Sequence, residues 1–545
     1  MLEFARRVKD LEGCPQGEYV TVTDFMKGIA AKAHELPEWV GELYLELHRG
    51  TLTSIAEIKR LNRRGEEALR DAEIAWTMAG ATRGRRYPAA KLHELWAGFL
   101  VNQFHDILPG SSIPEVNDQA IAEMTDTVAA AGGLAQDALA ALAGGAGRKT
   151  ASHLFVLNTL GWTRGGGFQL PAESLPAGTV PDGDGVISQR LRTVTGEERV
   201  AIAGVSLPGL GAVSVPLRLG RSGGRSPFTV RGRVVNTPSV RARFDVTGRI
   251  TSLLHKESGR ELVASGGALN TLWLGEDVPA AWDNWDIDFD QQFKMQAQTE
   301  LLSHTVTDGP LQLRIRHEIS IGAASRLIQD VVFHATSAQI DFETVVHWHE
   351  KHRLLKAGFD LDVHVDSARH EIQFGHVTRP THQNRPADRA QFEVVNHRWT
   401  DLSETRFGVA LLNDGKYGIS VDGAEARLTL LKSGARPDPR GDEGTHTFTY
   451  ALLPHAGGFS AESVVRPGYE LNVSPRVVPT TRSEGLDSLL TVDAPNVVID
   501  TVKWAEDNSG WIVRLYECEG TAAPTRIDFG VEVARVAETN LLEDE

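Results

Sequence analysis

The pair best placed to do chemistry is His105-Asp106, within "NQFHDILPGSSIPE" at residues 102–115. A neutral imidazole is a good ligand for a divalent metal, and a carboxylate beside it can grip a hydroxyl. The same pair at a helix C-terminus can simply cap carbonyls and favour the dipole, so spacing alone leaves both roles open. Glu42 and Glu46 stand four apart in "ELYLELHRGTLTS", with His48 and Arg49 close behind. They suit general acid/base work if they face a cleft, and otherwise form a solvated segment with a local ion pair. In "AAWDNWDIDFD", Trp282 and Trp285 alternate with Asp283, Asp286 and Asp288. Rings flanked by carboxylates suit sugar faces and hydroxyls, although acidic loops in β-proteins also bury tryptophans. Gln373, His376, Arg379, His382 and Asn384 crowd "EIQFGHVTRPTHQN", where the six-residue step between the histidines is too long for a compact zinc site. The sequence has neither a glycine-rich phosphate loop nor a nucleophile elbow, which argues against nucleotide chemistry and serine hydrolysis.

These residues need elements to hold them. In "SIAEIKRLNRRGEEALRDAEIAWTMAG", Ile55, Ile58, Leu69, Ala72 and Trp76 fall near multiples of 3.6 and predict one helix. A second, "KLHELWAGFLVNQFHDIL", carries Leu92, Leu95, Trp96, Phe99 and Gln103 on one stripe, with His105 near its end and off the stripe's centre. A third begins at "SSIPE", where Ser112 and Glu115 have capping-box spacing and Pro114 sits in the first turn. Short loops join the three, so a helical bundle is predicted. Beyond residue 147 short alternating runs, such as "QLRIRHEISI", are broken by Gly, Pro, Asp and Asn. They predict antiparallel sheet almost to the C-terminus, with "LGRSGGRSPF" as a linker and "PDPRGDEGTH" as an exposed loop. The predicted class is multidomain α+β: a three-helix bundle followed by a large all-β region of antiparallel sandwiches.

A chain of 545 residues exceeds what one hydrophobic core usually serves. Its two cysteines, Cys14 and Cys518, make no disulfide framework, so stability does not call for an oxidising compartment and a cytoplasmic location is expected. The net charge of -16, with no basic block, disfavours nucleic acid and anionic membranes. No apolar run reaches membrane-spanning length, and the first residues lack the apolar core of a signal peptide. A neutral or cationic ligand is the better match.

Several long motifs, in order, carry a resemblance: "WVGELYLELHRGTLTS", "KRLNRRGEEALRDAE", "LWAGFLVNQFHDILPGSSIPEV", "WDNWDID", "QFGHVTRPTHQN" and "FEVVNHRWTDLSETRFGVALLNDGKYG". Together they resemble the alpha-mannosidases of glycoside hydrolase family 38 over essentially the whole chain. The resemblance implies an N-terminal α/β domain, a three-helix bundle and mutarotase-like β-sandwiches. It also implies retaining hydrolysis of α-mannosides by an aspartate nucleophile, with a zinc ion holding sugar hydroxyls. By this likeness His105 is the bundle's zinc ligand, Asp106 touches substrate, and Glu42 or Glu46 lies near the acid's position; Arg379, from the polar cluster, is a further expected substrate contact. "GEYVTVTDFMKGI" resembles the last strand and helix of the α/β domain, so residues 1–33 are expected to be its remnant. The sole His-x-Asp, His364-Val365-Asp366, falls in a β-strand pattern and is not taken as the family's ligand pair. The expected partition is a bundle over residues 34–147, a small sandwich over 148–225, a large one over 226–476 and a β segment over 477–545. Without the nucleophile and the remaining ligands, the Zn2+ site is expected to be incomplete and the isolated chain inactive. Its expected partners are an α-mannoside oligosaccharide, a complementing N-terminal half and, through an exposed apolar face, further copies of itself. The alternative is a stand-alone carbohydrate-binding or scaffolding protein that meets sugar through the Trp282 and Arg379 regions.

Overall fold

The computed structural model describes residues 2–145 and 150–545. The expected boundary at residues 147–148 lies outside them. Two compact units form, Met1–Tyr44 and Leu45–Glu545. The first holds helices α1 (Leu2–Val8) and α2 (Val22–Ala30). Thr21 caps α2: its hydroxyl accepts the Asp24 N–H at 3.1 Å and donates to the Asp24 carboxylate at 2.8 Å.

The second unit opens with three helices, α3 (Ala56–Arg83), α4 (Ala89–Val101) and α5 (Pro114–Leu142). Ile58, Leu61, Leu69, Leu95, Phe99 and Met124 form a core that all three share. α3 and α4 approach so closely at Gly65 that a β-carbon there would lie 2.2 Å from the Phe99 ring. The remainder of α3 departs from a simple amphipathic helix, since Arg63, Glu67, Arg70 and Glu73 are also buried. Their partners come from the β region. Arg63 donates to Asn472 at 3.0 Å, Arg70 to the Thr159 carbonyl at 3.1 Å, and Glu67 pairs with Arg398 at 2.8 Å. α3 is therefore common to the helical and the β layers.

Two details at the ends of the helices differ from expectation. α4 stops at Val101 with Asn102 as its C-cap, so His105 stands in the following turns instead of in the helix. Asn102 turns its amide back onto the Gly98 carbonyl at 3.2 Å and across to Glu123 at 3.0 Å. Nor is Ser112 the cap of α5. That place falls to Ile113 with no side-chain bond, because Pro114 occupies the first turn and the Ser112 hydroxyl is drawn 2.9 Å from the Asp106 carbonyl.

The β region is antiparallel throughout its named ladders. A nine-stranded sheet runs in the order Leu301–Thr307, Gln312–Ile321, Ser325–His334, Ile340–Trp348, Gly444–Ala456, Phe407–Asn413, Trp399–Ser403, Ser367–Ile372, Gly375–Pro380. An eleven-stranded sheet, with Leu269–Glu276, Arg353–Asp360 and Glu425–Lys432 near its middle, packs on it. Phe342 of the first sheet meets Phe359 of the second at 6.0 Å and stacks on Tyr450 at 5.0 Å. Among these rings a closed polar circuit satisfies every member: Tyr450 donates to Asn270 at 2.6 Å, Asn270 to Gln329 at 2.7 Å, and Gln329 to Tyr450 at 2.9 Å. A four-stranded sheet pairs His153–Asn158 with both Gly211–Leu219 and Arg476–Thr480. Residues far apart in the chain therefore share one sheet, and Ile74, Met78, Leu139 and Leu142 pack on it.

The positive backbone angle of Gly110, φ 73°, and its fit against Ser54 make it irreplaceable: a β-carbon would come 2.1 Å from the Ser54 carbonyl oxygen. Gly110→Ala is expected to cost about 2 kcal/mol or more in denaturant unfolding. Gly132→Ala, inside α5 with nothing within 4 Å, is expected to stabilise by about 0.5–1 kcal/mol. His317, sealed between Phe244 and His304, is pushed down to about 4 by burial and then by His304. The unfolded chain thus takes up a proton between its ordinary value of 6.5 and 4 that the folded chain refuses. Stability from this residue is complete above pH 6.5 and lost as pH falls toward 4. His317→Asn is expected to flatten that slope by up to about 1.4 kcal/mol per pH unit in melts run across the interval.

Candidate functional site

Three of the four clusters singled out in the sequence meet in the second unit. The Asn284 side-chain amide donates to the Gly110 carbonyl at 3.0 Å, and the Ser54 hydroxyl donates to the Asn284 carbonyl at 2.7 Å. The backbone N–H of Gly50 donates to the Trp285 carbonyl at 2.9 Å. Segment 46–54, the turns at 102–112 and the loop at 282–288 are thus fastened to one another. The fourth reaches them through the short helix α6 (Pro386–Ala390), whose Ala390 carbonyl accepts from Arg49 at 2.9 Å.

The floor of this assembly is a buried ion pair. Lys432 and Asp277 lie 2.5 Å apart with side chains 0% and 1% exposed, and the same ammonium donates to the Asp283 carbonyl at 2.8 Å. Burial lifts the Asp277 carboxyl above the usual carboxylate range, against the opposing pull of Lys432. The aspartates of the loop are consumed by structure. Asp283 accepts the Ala435 N–H at 2.6 Å, Asp286 pairs with Arg49 at 3.3 Å, and Asp288 accepts the Ala280 N–H at 2.8 Å. What the loop offers outward is Trp282, which is 63% exposed and held at φ 62° with its ring edge-on to Trp285 at 5.9 Å. A bulky residue held exposed in the left-handed region is a conformation that proteins retain mainly at working surfaces.

His105 is likewise presented outward. Its side chain is 78% exposed, its Nε2 stands 3.8 Å from the Asp106 carboxylate, and its ring lies 4.5 Å from that of Phe104. Asp106 is half exposed and accepts the Ser111 hydroxyl at 2.9 Å, which orients one carboxylate oxygen and leaves the group reachable from solvent. Leu100, Val101, Phe104 and Ile113 around it are all exposed. Glu46 reaches Arg49 at 3.5 Å with its own side chain 63% exposed, and the His48 ring lies 3.4 Å from the Glu46 carbonyl. Glu42 belongs to the first unit, where its carbonyl accepts the Trp39 indole N–H at 3.0 Å.

The remaining candidates lie elsewhere in the fold. Arg379 is buried and donates to the Val395 carbonyl at 2.8 Å. His376 contacts the Cys518 carbonyl at 3.1 Å between the Trp399 and Phe459 rings, and burial lowers its pKa. His382 lies 3.6 Å from Asp388. His364 and Asp366 are exposed in the β region, where the His364 N–H donates to Glu404. Among the described residues, no three His, Cys, Asp or Glu side chains are grouped to hold a metal. Sequence reasoning missed Lys432, Asp277 and Asn284. Lys432 at a strand end and Asp277 just past one carry no local pattern that pairs them, and Asn284 was hidden among more conspicuous neighbours.

Removing Lys432 should therefore expose how much rests on it. Lys432→Met is expected to cost about 3–5 kcal/mol by leaving Asp277 buried and alone, and a double variant with Asp277→Leu to recover most of that loss in denaturant titrations. Proteolysis within residues 282–288 should accelerate in the single variant first.

Comparison with known proteins agrees with this layout. Residues 46–142 match the alpha mannosidase middle domain, 235–440 the glycosyl hydrolases family 38 C-terminal domain, and 496–545 the family 38 C-terminal beta sandwich domain. All of the chain aligns with alpha-mannosidase 2C1 of Homo sapiens at 36% identity and with alpha-mannosidase G of Dictyostelium discoideum at 32%, covering 51% and 53% of those proteins. The chain thus spans about half the length of the curated relatives it matches. The fold is similar to that of an alpha-mannosidase from Enterococcus faecalis V583, with a TM-score of 0.74 and 15% identity over 95% of this chain and 69% of that one. Three domain models in order and alignment of the whole chain to half of its relatives' length place the chain in glycoside hydrolase family 38, of which it carries the middle and C-terminal domains.

Proposed function

We propose that this chain supplies one wall of an α-mannosidase active site, and that the retaining hydrolysis of α-mannosides in oligosaccharide catabolism is completed by groups outside it. The observation that carries the reading is the outward pair His105-Asp106, on turns clamped to the loop that carries Trp282. His105 is the chain's contribution to a zinc site, Asp106 a contact for sugar hydroxyls, and Glu46 or Glu42 a candidate acid. The donor set found here does not make a zinc site by itself, since one imidazole and one flanking carboxylate are too few for a closed shell. No step is therefore routed through the metal. Retaining hydrolysis needs two carboxyl groups across the glycosidic bond, one attacking and one protonating. Of these the chain offers at most the acid, so alone it is inactive.

The exposed apolar residues beside His105 suit a protein partner, either a complementing N-terminal half or a second copy of the chain. We assign the three helices to the family's bundle domain and the sheets to its mutarotase-like region, over the ranges expected above, with residues 1–33 as the end of the α/β domain. No helix among the described residues is long and apolar enough to cross a membrane, and cytoplasmic location is part of the proposal. The exposed Trp282 also supports a second reading, a stand-alone sugar-binding or scaffolding protein. Arg379, already bonded inside the protein, would join a sugar contact only after rearrangement.

The test is release of nitrophenol from nitrophenyl α-mannoside with added zinc. The purified chain should release none. Co-expressed with a family N-terminal half it should do so, and His105→Ala should cut that rate roughly 10–100-fold or more. Robust turnover by the chain alone, abolished by His105→Ala, would overturn the inactivity. Full activity of the complemented His105→Ala variant would overturn its role.

A further inference from the structure

A separate cleft of about 520 Å3 opens between α3 and α4 on one side and, on the other, the strands Val497–Trp504 and Trp511–Glu517 with the tip of the hairpin at residues 367–380. Its volume lies in the ~300–1,000 Å3 range of small-molecule sites. His105 and Asp106 are not among its lining residues.

Aromatic rings are prominent in its walls. Trp96 lies on the helical side, Tyr87 packs with Trp504 at 6.4 Å, and Tyr516 joins Tyr469 hydroxyl to hydroxyl at 3.0 Å. At the hairpin tip stands Phe374, 66% exposed and held at φ 56°, its ring edge-to-face with Tyr516 at 6.0 Å between centroids. Turn residues at such an angle are normally Gly or Asn, and a large apolar ring kept there in water has no packing role that requires it. It caps one side of the cleft.

Between the rings, hydrogen-bonding groups of both kinds converge. Glu66 accepts from Asn62 at 3.1 Å and Gln103 at 3.3 Å. Glu67 and Arg70 line the cleft, are 6% and 7% exposed, and each keeps one polar atom, Oε2 and Nη1, with no hydrogen-bond partner, although Arg70 Nη1 stands 3.9 Å from the Asp71 carboxylate. Unsatisfied groups of this kind are costly in a folded protein and call for a ligand or bound water. Burial raises the Glu66 carboxyl above its ordinary range and that of Glu73 to about 7, so Glu73 can donate as well as accept near neutrality. Arg70, Arg398, Lys503 and Arg514 stand among the carboxylates. An anion would meet the acidic groups, and a polyamine would meet these four cations. A neutral ring with apolar faces and a rim of hydroxyls suits both the aromatic walls and the mixed donors and acceptors.

We propose that this cleft binds a neutral carbohydrate, one ring edge resting against Phe374 and Tyr516 and its hydroxyls turned toward the polar groups of α3 and α4. The site does not depend on the proposed hydrolytic role of His105. The test uses the whole chain, with mannobiose as the probe in saturation-transfer NMR and calorimetry, and spermidine and inorganic phosphate as controls. Mannobiose should bind, weaken at least tenfold in Phe374→Ala, be kept in Phe374→Trp, and be unchanged in His105→Ala. Thermal melts check that each variant is folded, which the exposure of Phe374 favours. The proposal is overturned if mannobiose does not bind, if Phe374→Ala binds it as well as the parent, or if His105→Ala alone abolishes binding. Saturable binding of spermidine or phosphate in place of the sugar also overturns it.

Discussion

The buried ammonium of Lys432 is the constraint on which the candidate surface depends. It neutralises Asp277 in the interior and spends a further hydrogen on the backbone of Asp283, so one charge sets both a strand end and the root of the loop that follows. From that root the order is passed on by direct bonds. Asn284 reaches Gly110, Ser54 reaches Asn284, and Arg49 reaches both Asp286 and Ala390. Each joins segments remote in the chain, so the turn bearing His105 cannot be built by α4 alone. An isolated ion pair of this sort adds little net stability over an apolar substitute. Its value here is positional, since the groups it fixes could not be held by apolar contact with the same directionality.

The same logic explains why α3 carries so many charges where no solvent reaches. Its apolar stripe faces α4 and α5, while Arg63, Glu67, Arg70 and Glu73 sit under the β region. Most of these are matched: Glu67 with Arg398, Arg63 with Asn472, and Arg70 with two backbone carbonyls. Of the atoms left without a hydrogen bond, Glu67 Oε2 and Arg70 Nη1 belong to residues along the cleft beside α4, whereas Arg63 lies outside its lining.

Much of this could be read from residues in order. Leu92, Leu95 and Phe99 announced the buried face of α4, and Ile58 and Leu69 that of α3, because a period of 3.6 survives any tertiary context. The alternation in "QLRIRHEISI" likewise gave a strand that the ladder confirms. The reading failed where a residue's partner is distant. Ser112 carried the spacing of a cap yet bonds Asp106, six positions back, because the tight turns between α4 and α5 bring that carbonyl within reach. The charges of "KRLNRRGEEALRDAE" are buried in the fold, since their partners at residues 398, 472 and 500 belong to a loop, a short helix and a strand that no local pattern connects to them. For the same reason Arg379 and the aspartates at 283, 286 and 288 promised chemistry and proved to be bonded into the framework.

A single short helix sets out both surfaces. Along α4, Leu95 and Phe99 face the core, Trp96, Leu100 and the following Gln103 line the cleft, and the next two residues, Phe104 and His105, project to solvent. Gln103 ties this region to α3 through Asn62 and Glu66, while Asn284 and Ser54 tie the next turns, at Gly110, to the β region. Any displacement of α4 along its axis would therefore strain the cleft and the His105 turn together. Yet the two are anchored to different partners, one set on α3 and the other on the loop above Lys432. That division lets a side chain at one surface be altered without moving the other, which is the geometry required for two ligand contacts on one scaffold to be separable.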